Sequence, residues 1–264
     1  MIDVRTLTCN PLQENCYVVT DRESGETAVI DCGAYYDAER QAIAGMLSDE
    51  SLELSDESLE LRDFSSAPQH STEVSQRSTL NAQHPAKVSQ RSTLNTQHTR
   101  RLRHVLCTHA HFDHVFGVDT LYERFGVKPR LHPADNFLYD NMDGQLNGMM
   151  GMGFGRTMPP RGDSLHEGER IPLGRHQLTV LHTPGHSPGS VVFYIEDEKM
   201  LFAGDTLFRM SVGRTDLQGG SWQQLMQSIS QVLAKLPDDV TVYTGHGPAT
   251  RIGDEKRMNP YFKC

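Results

Sequence analysis

Within six residues the chain places His109, His111, Asp113 and His114 in the order HAHFDH. Three imidazoles and a carboxylate this close together, directly after the apolar run HVLCT, offer the nitrogen and oxygen donors that a divalent cation of borderline softness such as zinc accepts. Neighbouring histidines are also ordinary solvated loop residues, so the weight falls on where further donors lie. His186 sits in HTPGHSPGS, where Pro184, Gly185, Pro188 and Gly189 force a turn after a strand-like run. Asp205 closes FAGD and His246 lies in VYTGHG, each after another such run. Five histidines and two aspartates therefore stand where strands end, and a sheet scaffold can gather side chains from distant parts of a chain at such ends.

The elements that must do this are legible as short apolar runs. Runs at 2–8, 15–20 and 26–31, broken by Asn-Pro, Asp and Gly, predict an antiparallel meander. A helix follows over 37–47. Further on come a strand at 104–108, a helix over 118–125, a strand near 129–132 and a short helix after Pro133. Strands near 177–182, 190–195 and 199–203 precede a helix from the N-cap Ser221 to about Leu236, with Leu225, Ile229, Val232 and Leu236 on one face. VTVYT at 240–244 is the last strand. Two halves, each a sheet followed by helices, predict a mixed α/β (α+β) fold, a four-layer αββα sandwich.

One stretch does not fit this pattern. SDESLEL stands at 48–54 and again at 55–61, and VSQRSTLN at 74–81 and again at 88–95. The 74–99 part is polar and lacks aromatic residues, too poor in apolar surface to offset its ordering entropy, so it reads as disordered. Leu47, Leu54 and Leu61, at heptad spacing, would let the preceding helix run on. Residues 48–99 are read as an expanded repeat tolerated in a surface loop, since long insertions add little loop entropy; a partner-binding role is the other reading. Without them 212 residues remain, enough for one well-packed domain, so 1–264 is taken as one domain carrying an insertion.

Composition narrows the function classes. The net charge is −9, 37% of residues are hydrophobic, and no basic block exists to meet phosphates, which disfavours nucleic acid as a partner. No run of 18 apolar residues and no signal-peptide pattern in MIDVRTLTCN is present, so the expectation is a cytoplasmic protein with no membrane contact. Cysteines at 9, 16, 32, 107 and 264 form no CxxC pair and read as reduced thiols, not as a disulfide framework or a thiolate zinc site.

The order HxHxDH, then His186, then Asp205 after AGD, then His246 in TGHG resembles the metallo-β-lactamase fold hydrolases, over essentially the whole chain except 48–99. Within that superfamily NCYVV, VIDCG, HTPGHSPGS, LFAGDTLF, VGRTDLQGG and GHGPATRIGDEKRMNPY resemble the short glyoxalase II-like, or hydroxyacylglutathione hydrolase-like, branch. The resemblance implies the metallo-β-lactamase sandwich and two divalent metal ions, zinc first, with iron or manganese compatible with the same donors. It implies that His109, His111 and His186 hold one ion, that Asp113, His114 and His246 hold the other, and that Asp205 bridges them. Two cations sharing a carboxylate can share a water and hold it as hydroxide at neutral pH, with Asp113 and Asp205 as the carboxylates of the catalytic centre. The implied substrate is a small hydroxyacyl thioester such as S-lactoylglutathione, whose thiolate leaves with little proton donation because its pKa is low.

Other readings accompany this one. Only 18 residues follow His246, whereas the long glyoxalase II branch carries a glutathione-binding helical domain there, so the thiol carrier is open. Persulfide dioxygenases resemble the same scaffold with a single iron on two His and one Asp, and lactone, β-lactam or other ester hydrolysis is a further alternative. An interaction protein with a structural metal site is disfavoured, because structural zinc sites usually close with four protein ligands. Asp31 in VIDCG resembles the family carboxylate that orients a ligand histidine, although Asp at a strand end is also a common turn residue. Arg209 and Arg214 either meet a substrate carboxylate or anchor a loop, the latter favoured. The Met- and Gly-rich segment 141–160 reads as a lid or an irregular connection. His104, His132, His166, His176 and His182 read as structural or exposed, and His70, His84 and His98 as repeat members. Oligomeric state is left open.

Overall fold

Three hydrophobic clusters separate four layers in the computed structural model, which describes residues 1–48, 100–151 and 153–262. The first sheet runs β1 (Ile2–Cys9), β2 (Glu14–Asp21) and β3 (Glu26–Ile30) as an antiparallel meander. After α1 (Asp37–Leu47) it continues with β4 (Arg101–Leu106), parallel to β3. Beyond α2 (Phe112–Val115) and α3 (Val118–Phe125), β5 (Pro129–Arg130) closes that sheet. Two further helices, α4 (Asn136–Tyr139) and α5 (Met142–Met150), lead to β6 (Arg170–Leu173), β7 (His176–His182), β8 (Val191–Ile195) and β9 (Met200–Gly204) of the second sheet. The small hairpin β10 (Leu207–Phe208) and β11 (Ser211–Val212) precedes α6 (Trp222–Gln231), then β12 (Thr241–Thr244), β13 (Thr250–Arg251) and α7 (Ile252–Met258). The second sheet has the order β13-β12-β9-β8-β7-β6.

Strand periodicity explains why both sheets are covered twice. Side chains alternate across a strand, and in β8 Val191, Phe193 and Ile195 point between the sheets while Val192 and Tyr194 point to the outer helices. In β3 Ala28 and Ile30 face the other sheet and Val29 faces the helical layer with Ile43 of α1, Phe116 just after α2 and Leu121 of α3. Such strands read as continuous apolar runs because neither face is wet. Each fully buried Val, Ile or Phe contributes roughly 1.5–3 kcal/mol of transfer free energy. Among the described residues no helix is long and apolar enough to cross a membrane.

The expected elements appear with shifted ends. The strand expected at 104–108 starts at Arg101 and ends at Leu106, since its first half pairs in register with Glu26 and Thr27 of β3. The helix from Ser221 stops at Gln231 and passes into a 3-10 turn, Leu233–Lys235; the Ser221 hydroxyl caps it by accepting from Gln224 N. Residues 142–150 of the expected irregular segment are helix α5, because Met142 and Leu146 bury one face and Gln145 Nε2 donates to the carbonyls of Ala110 and Leu138. Helix α1 ends at Leu47, with Ser48 extended. The repeats from residue 49 onward, with Leu54, Leu61, His70, His84 and His98, lie outside the described residues, as do Met152 and Cys264. Cys9, Cys16, Cys32 and Cys107 are buried and free.

Candidate metal centre

Topology brings the candidate donors to one end of the sandwich. β9 and β12 are parallel with Gly204 opposite Thr244, so Asp205 and His246 leave the second sheet side by side. β8 is antiparallel to both β7 and β9, which puts the β7–β8 turn bearing His186 at that same end. Across the sandwich, β4 delivers Thr108 to His111 there, joined to the second sheet where Val191 N donates to Thr108 O at 2.8 Å. Tyr17 Oη donates to Thr244 O at 2.6 Å and fastens the other side.

All seven expected donors converge. His109, His111 and His186 form one group, and Asp113, His114 and His246 a second; in each, one donor atom per residue lies within 4.8 Å of the others. Asp205 stands between them, Oδ2 3.5 Å from His186 Nε2 and Oδ1 3.3 Å from His114 Nε2. His246 Nε2 lies 3.2 Å from Asp113 Oδ2 and 3.7 Å from Asp205 Oδ1. Room for this is made by Gly245, where a Cβ would come 2.2 Å from Asp205 Oδ1.

The far nitrogen of four rings has its own partner, and that fixes which nitrogen faces inward. His114 Nδ1 is 3.0 Å from Asp31 Oδ2, His186 Nδ1 2.7 Å from Arg214 O, and His246 Nδ1 2.9 Å from Leu12 O. Each of those oxygens accepts, so each ring carries its proton there and turns the Nε2 lone pair to the centre. His109 Nδ1 faces Thr108 Oγ1 at 3.0 Å, and that hydroxyl donates to Asp31 Oδ2 at 2.7 Å, which gives His109 the same orientation. His111 Nδ1 and His186 Nε2 are 2.8 Å apart, a pair that one proton, or a cation in its place, satisfies.

Electrostatics separate the two groups. Burial, aided by the neighbouring imidazoles, pushes His109 well below the usual histidine range and His111 down to about 3, so both are neutral donors. Burial also disfavours charge on His114 and His246, but facing carboxylates outweigh it and raise both: Asp205 and Asp113 on His114, the Asp113 hydrogen bond and Asp205 on His246. Asp113 and Asp205 are lowered in turn, because His114 chiefly outweighs the cost of their burial.

The donor set fits divalent cations. His109 Nε2, His111 Nε2, His114 Nε2 and Asp205 Oδ1 are buried with no hydrogen-bond partner, which costs about 1–3 kcal/mol for each neutral group and more for a charged one. His109 Nε2, His114 Nε2 and Asp205 Oδ1 turn toward the centre, where a coordinated ion would take up their lone pairs, while His111 faces it through Nδ1. Asp31, His109 and His114 also come within 4.8 Å of one another. Asp31 is committed elsewhere: Oδ1 accepts from Thr108 N and Oδ2 from Thr108 Oγ1, both at 2.7 Å, so it holds ligand-bearing residues in place.

Sequence reasoning missed Thr108, Asp135 and Glu14. Glu14 is fully buried beside His114 with both oxygens unpaired, and burial raises its pKa well above the carboxylate range. A charged residue inside an all-buried strand was the available signal. Arg214 pairs within its own loop, its guanidinium making two 2.7 Å bonds to Asp216, while its carbonyl accepts from His186 Nδ1. Arg209 is exposed and lines, with Arg251, a cavity of about 370 Å³. None of His104, His132, His166, His176 or His182 joins the groups described.

A family model described as the metallo-beta-lactamase superfamily matches residues 90–246. Hydroxyacylglutathione hydrolase GloC of Haemophilus influenzae is 37% identical over 162 residues, 61% of this chain and 76% of that protein. The crystal structure of BLEG-1 B3 metallo-β-lactamase aligns with a TM-score of 0.72 at 28% identity, covering 100% of both chains. That of TTHA1623 in a di-iron-bound form aligns with a TM-score of 0.69 at 32% identity, covering 98% of this chain and 100% of that one.

Proposed function

Because this chain belongs to the metallo-β-lactamase superfamily, we propose that it is a hydrolase of small hydroxyacyl thioesters that works with two divalent cations. His109, His111 and His186 would hold one, Asp113, His114 and His246 the other, and Asp205 both. The observation that carries this is Asp205, whose two oxygens face different groups, Oδ2 toward His186 and Oδ1 toward His114 and His246. A single-iron site on two His and one Asp would leave Asp113, His114, His246 and one of His109, His111 and His186 without a role. When bound, the cations supply Lewis acidity and lower the pKa of a shared water toward neutrality.

The chain's own residues do the rest. Arg214 O, Leu12 O, Asp31 and Thr108 hold the outer Nδ1–H of His186, His246, His114 and His109 and so turn each Nε2 inward; from His114 and His246, whose pKa values the facing carboxylates raise, a proton would leave as an ion arrives. Asp113 and Asp205 would supply two negative charges toward the four positive charges of two divalent cations. A thiolate leaves at a pKa near 8.5, so the chain needs no dedicated acid beside the leaving sulfur. The thioester class is supported by the likeness to GloC and by the motifs it shares with that branch. The likeness to BLEG-1 favours a second reading, β-lactam hydrolysis, at lower identity.

The test is metal content per chain measured with hydrolysis of S-lactoylglutathione, a chromogenic cephalosporin, and oxygen uptake on glutathione persulfide. Two ions with thioester turnover, lost in His111→Ala and Asp205→Ala, is the expected result. One iron with oxygen uptake, or cephalosporin turnover without thioester turnover, overturns it.

A further inference from the structure

A buried carboxylate outside the seven donors joins the two loops that carry one of the groups. Asp135 closes the 3-10 turn Pro133–Asp135 and is 0% exposed. Its Oδ2 accepts from Ala110 N at 3.0 Å and from Ser187 Oγ at 2.7 Å, and its Oδ1 accepts from Gly189 N at 2.6 Å. Ala110 stands between His109 and His111, and Ser187 follows His186. The first loop leaves β4 in one sheet and the second links β7 to β8 in the other, so one side chain spans both halves of the sandwich beside the first group. The fit is close: a Cβ on Gly189 would come 2.6 Å from Asp135 Cγ.

All three partners donate, which selects a carboxylate. An Asn would turn an NH2 group toward a donor and leave a buried group unpaired. Burying this charge away from water is costly, and the three bonds offset part of that cost, burial still prevailing and raising the Asp135 pKa. The bonds also tie these two loops to each other through a single side chain, beside the direct bond from Val191 N to Thr108 O. The second group is held by other side chains: Asn10 Nδ2 donates to Asp113 O at 2.9 Å, Asn15 Nδ2 donates to the carbonyls of Thr244 and Gly247 on either side of His246, and Asp31 faces His114 Nδ1.

Resting on the two-cation reading above, we propose that Asp135 is a positioning residue for the His109–His111–His186 group, setting the separation of its two loops so that those three rings bind one ion together. It touches neither ion nor substrate. Groups that orient metal ligands typically change metal affinity 10- to 100-fold when mutated.

Protein loaded with cobalt(II) is titrated with a chelator while metal per chain and the visible absorption of the bound cobalt are followed. For Asp135→Asn, one of the two ions is expected to leave at 10- to 100-fold lower chelator concentration while the other is held as in the parent protein. Ser187→Ala, which removes one donor and keeps the carboxylate, should weaken the same ion by a smaller factor. Circular dichroism of both variants keeps loss of fold apart from loss of metal. A folded Asp135→Asn that holds both ions like the parent overturns the proposal. So does equal weakening of both ions, or, if Asp135→Asn does not fold, a Ser187→Ala with unchanged retention. Parent protein that binds two ions but cleaves no thioester overturns the substrate reading and leaves this one standing; parent protein that binds fewer than two removes the premise of both.

Discussion

At the scale of single residues, Asp31 carries more than its place in a turn. It adopts φ of 50°, the left-handed region that a residue with a Cβ enters at a cost of order 1–3 kcal/mol. That conformation is held by the bonds of its carboxylate to Thr108 N, Thr108 Oγ1 and His114 Nδ1. Asp31→Ala therefore should lower metal affinity by 10- to 100-fold with the fold retained, read as the chelator concentration that strips half the metal. Unchanged retention would show that Thr108 and the loop alone orient His114. The seven donors were legible because four of them crowd into six residues and the other three each follow a strand-like run. Thr108, Asp135 and Glu14 were not, because their roles depend on contacts made 77, 52 and 100 residues away, which no local pattern records.

At the scale of elements, long apolar runs such as β8 and the spacing of Leu225 and Ile229 in α6 announced themselves by period alone. The two-residue strands β10, β11 and β13 did not, since pairing partners rather than sequence define them. Helix α5 was hidden by two glycines and three methionines, and it exists because packing of Met142 and Leu146 overrides weak propensity. Another packing contact has a pH signature. His132, before the 3-10 turn, stacks on His182 at the end of β7, with ring centroids 4.2 Å apart and 14° between planes. Burial, then the charges of His182 and His166, bring His132 down to about 4. The unfolded chain binds this proton near pH 6.5 and the folded one does not, so His132 makes stability fall as pH drops from about 6.5 toward 4. His132→Phe keeps a ring against His182 and removes the proton. Denaturant midpoints measured at pH 7 and at pH 5 should differ less in that variant than in the parent, and an equal difference would refute the assignment.

At the scale of the whole molecule, the end of the sandwich at which the chain leaves for residues 49–99 decides what that stretch does to the site. Helix α1 ends at Leu47, and Arg100 Nη1 donates to Met46 O at 2.9 Å, so the described residues that flank the stretch meet. They meet where β4 begins, whereas Thr108 and the donors lie beyond where it ends. The six residues of β4 span about 20 Å at roughly 3.3 Å each. The residues that flank the repeat stretch and the candidate centre are thus at opposite ends of one strand. Two anchor points already in contact can be joined by a short linker with little strain, and shortening a long loop changes its closure entropy only logarithmically. Replacing residues 49–99 by a few Gly and Ser residues should therefore leave metal content at the parent value, change kcat/KM for the thioester by less than about twofold, and keep or slightly raise the midpoint of thermal unfolding. A large fall in kcat with metal content intact would mean that the repeats act on the centre despite entering at the far end of β4, and a loss of metal as well would mean that the linker disturbs the β3–β4 pairing on which His109 depends.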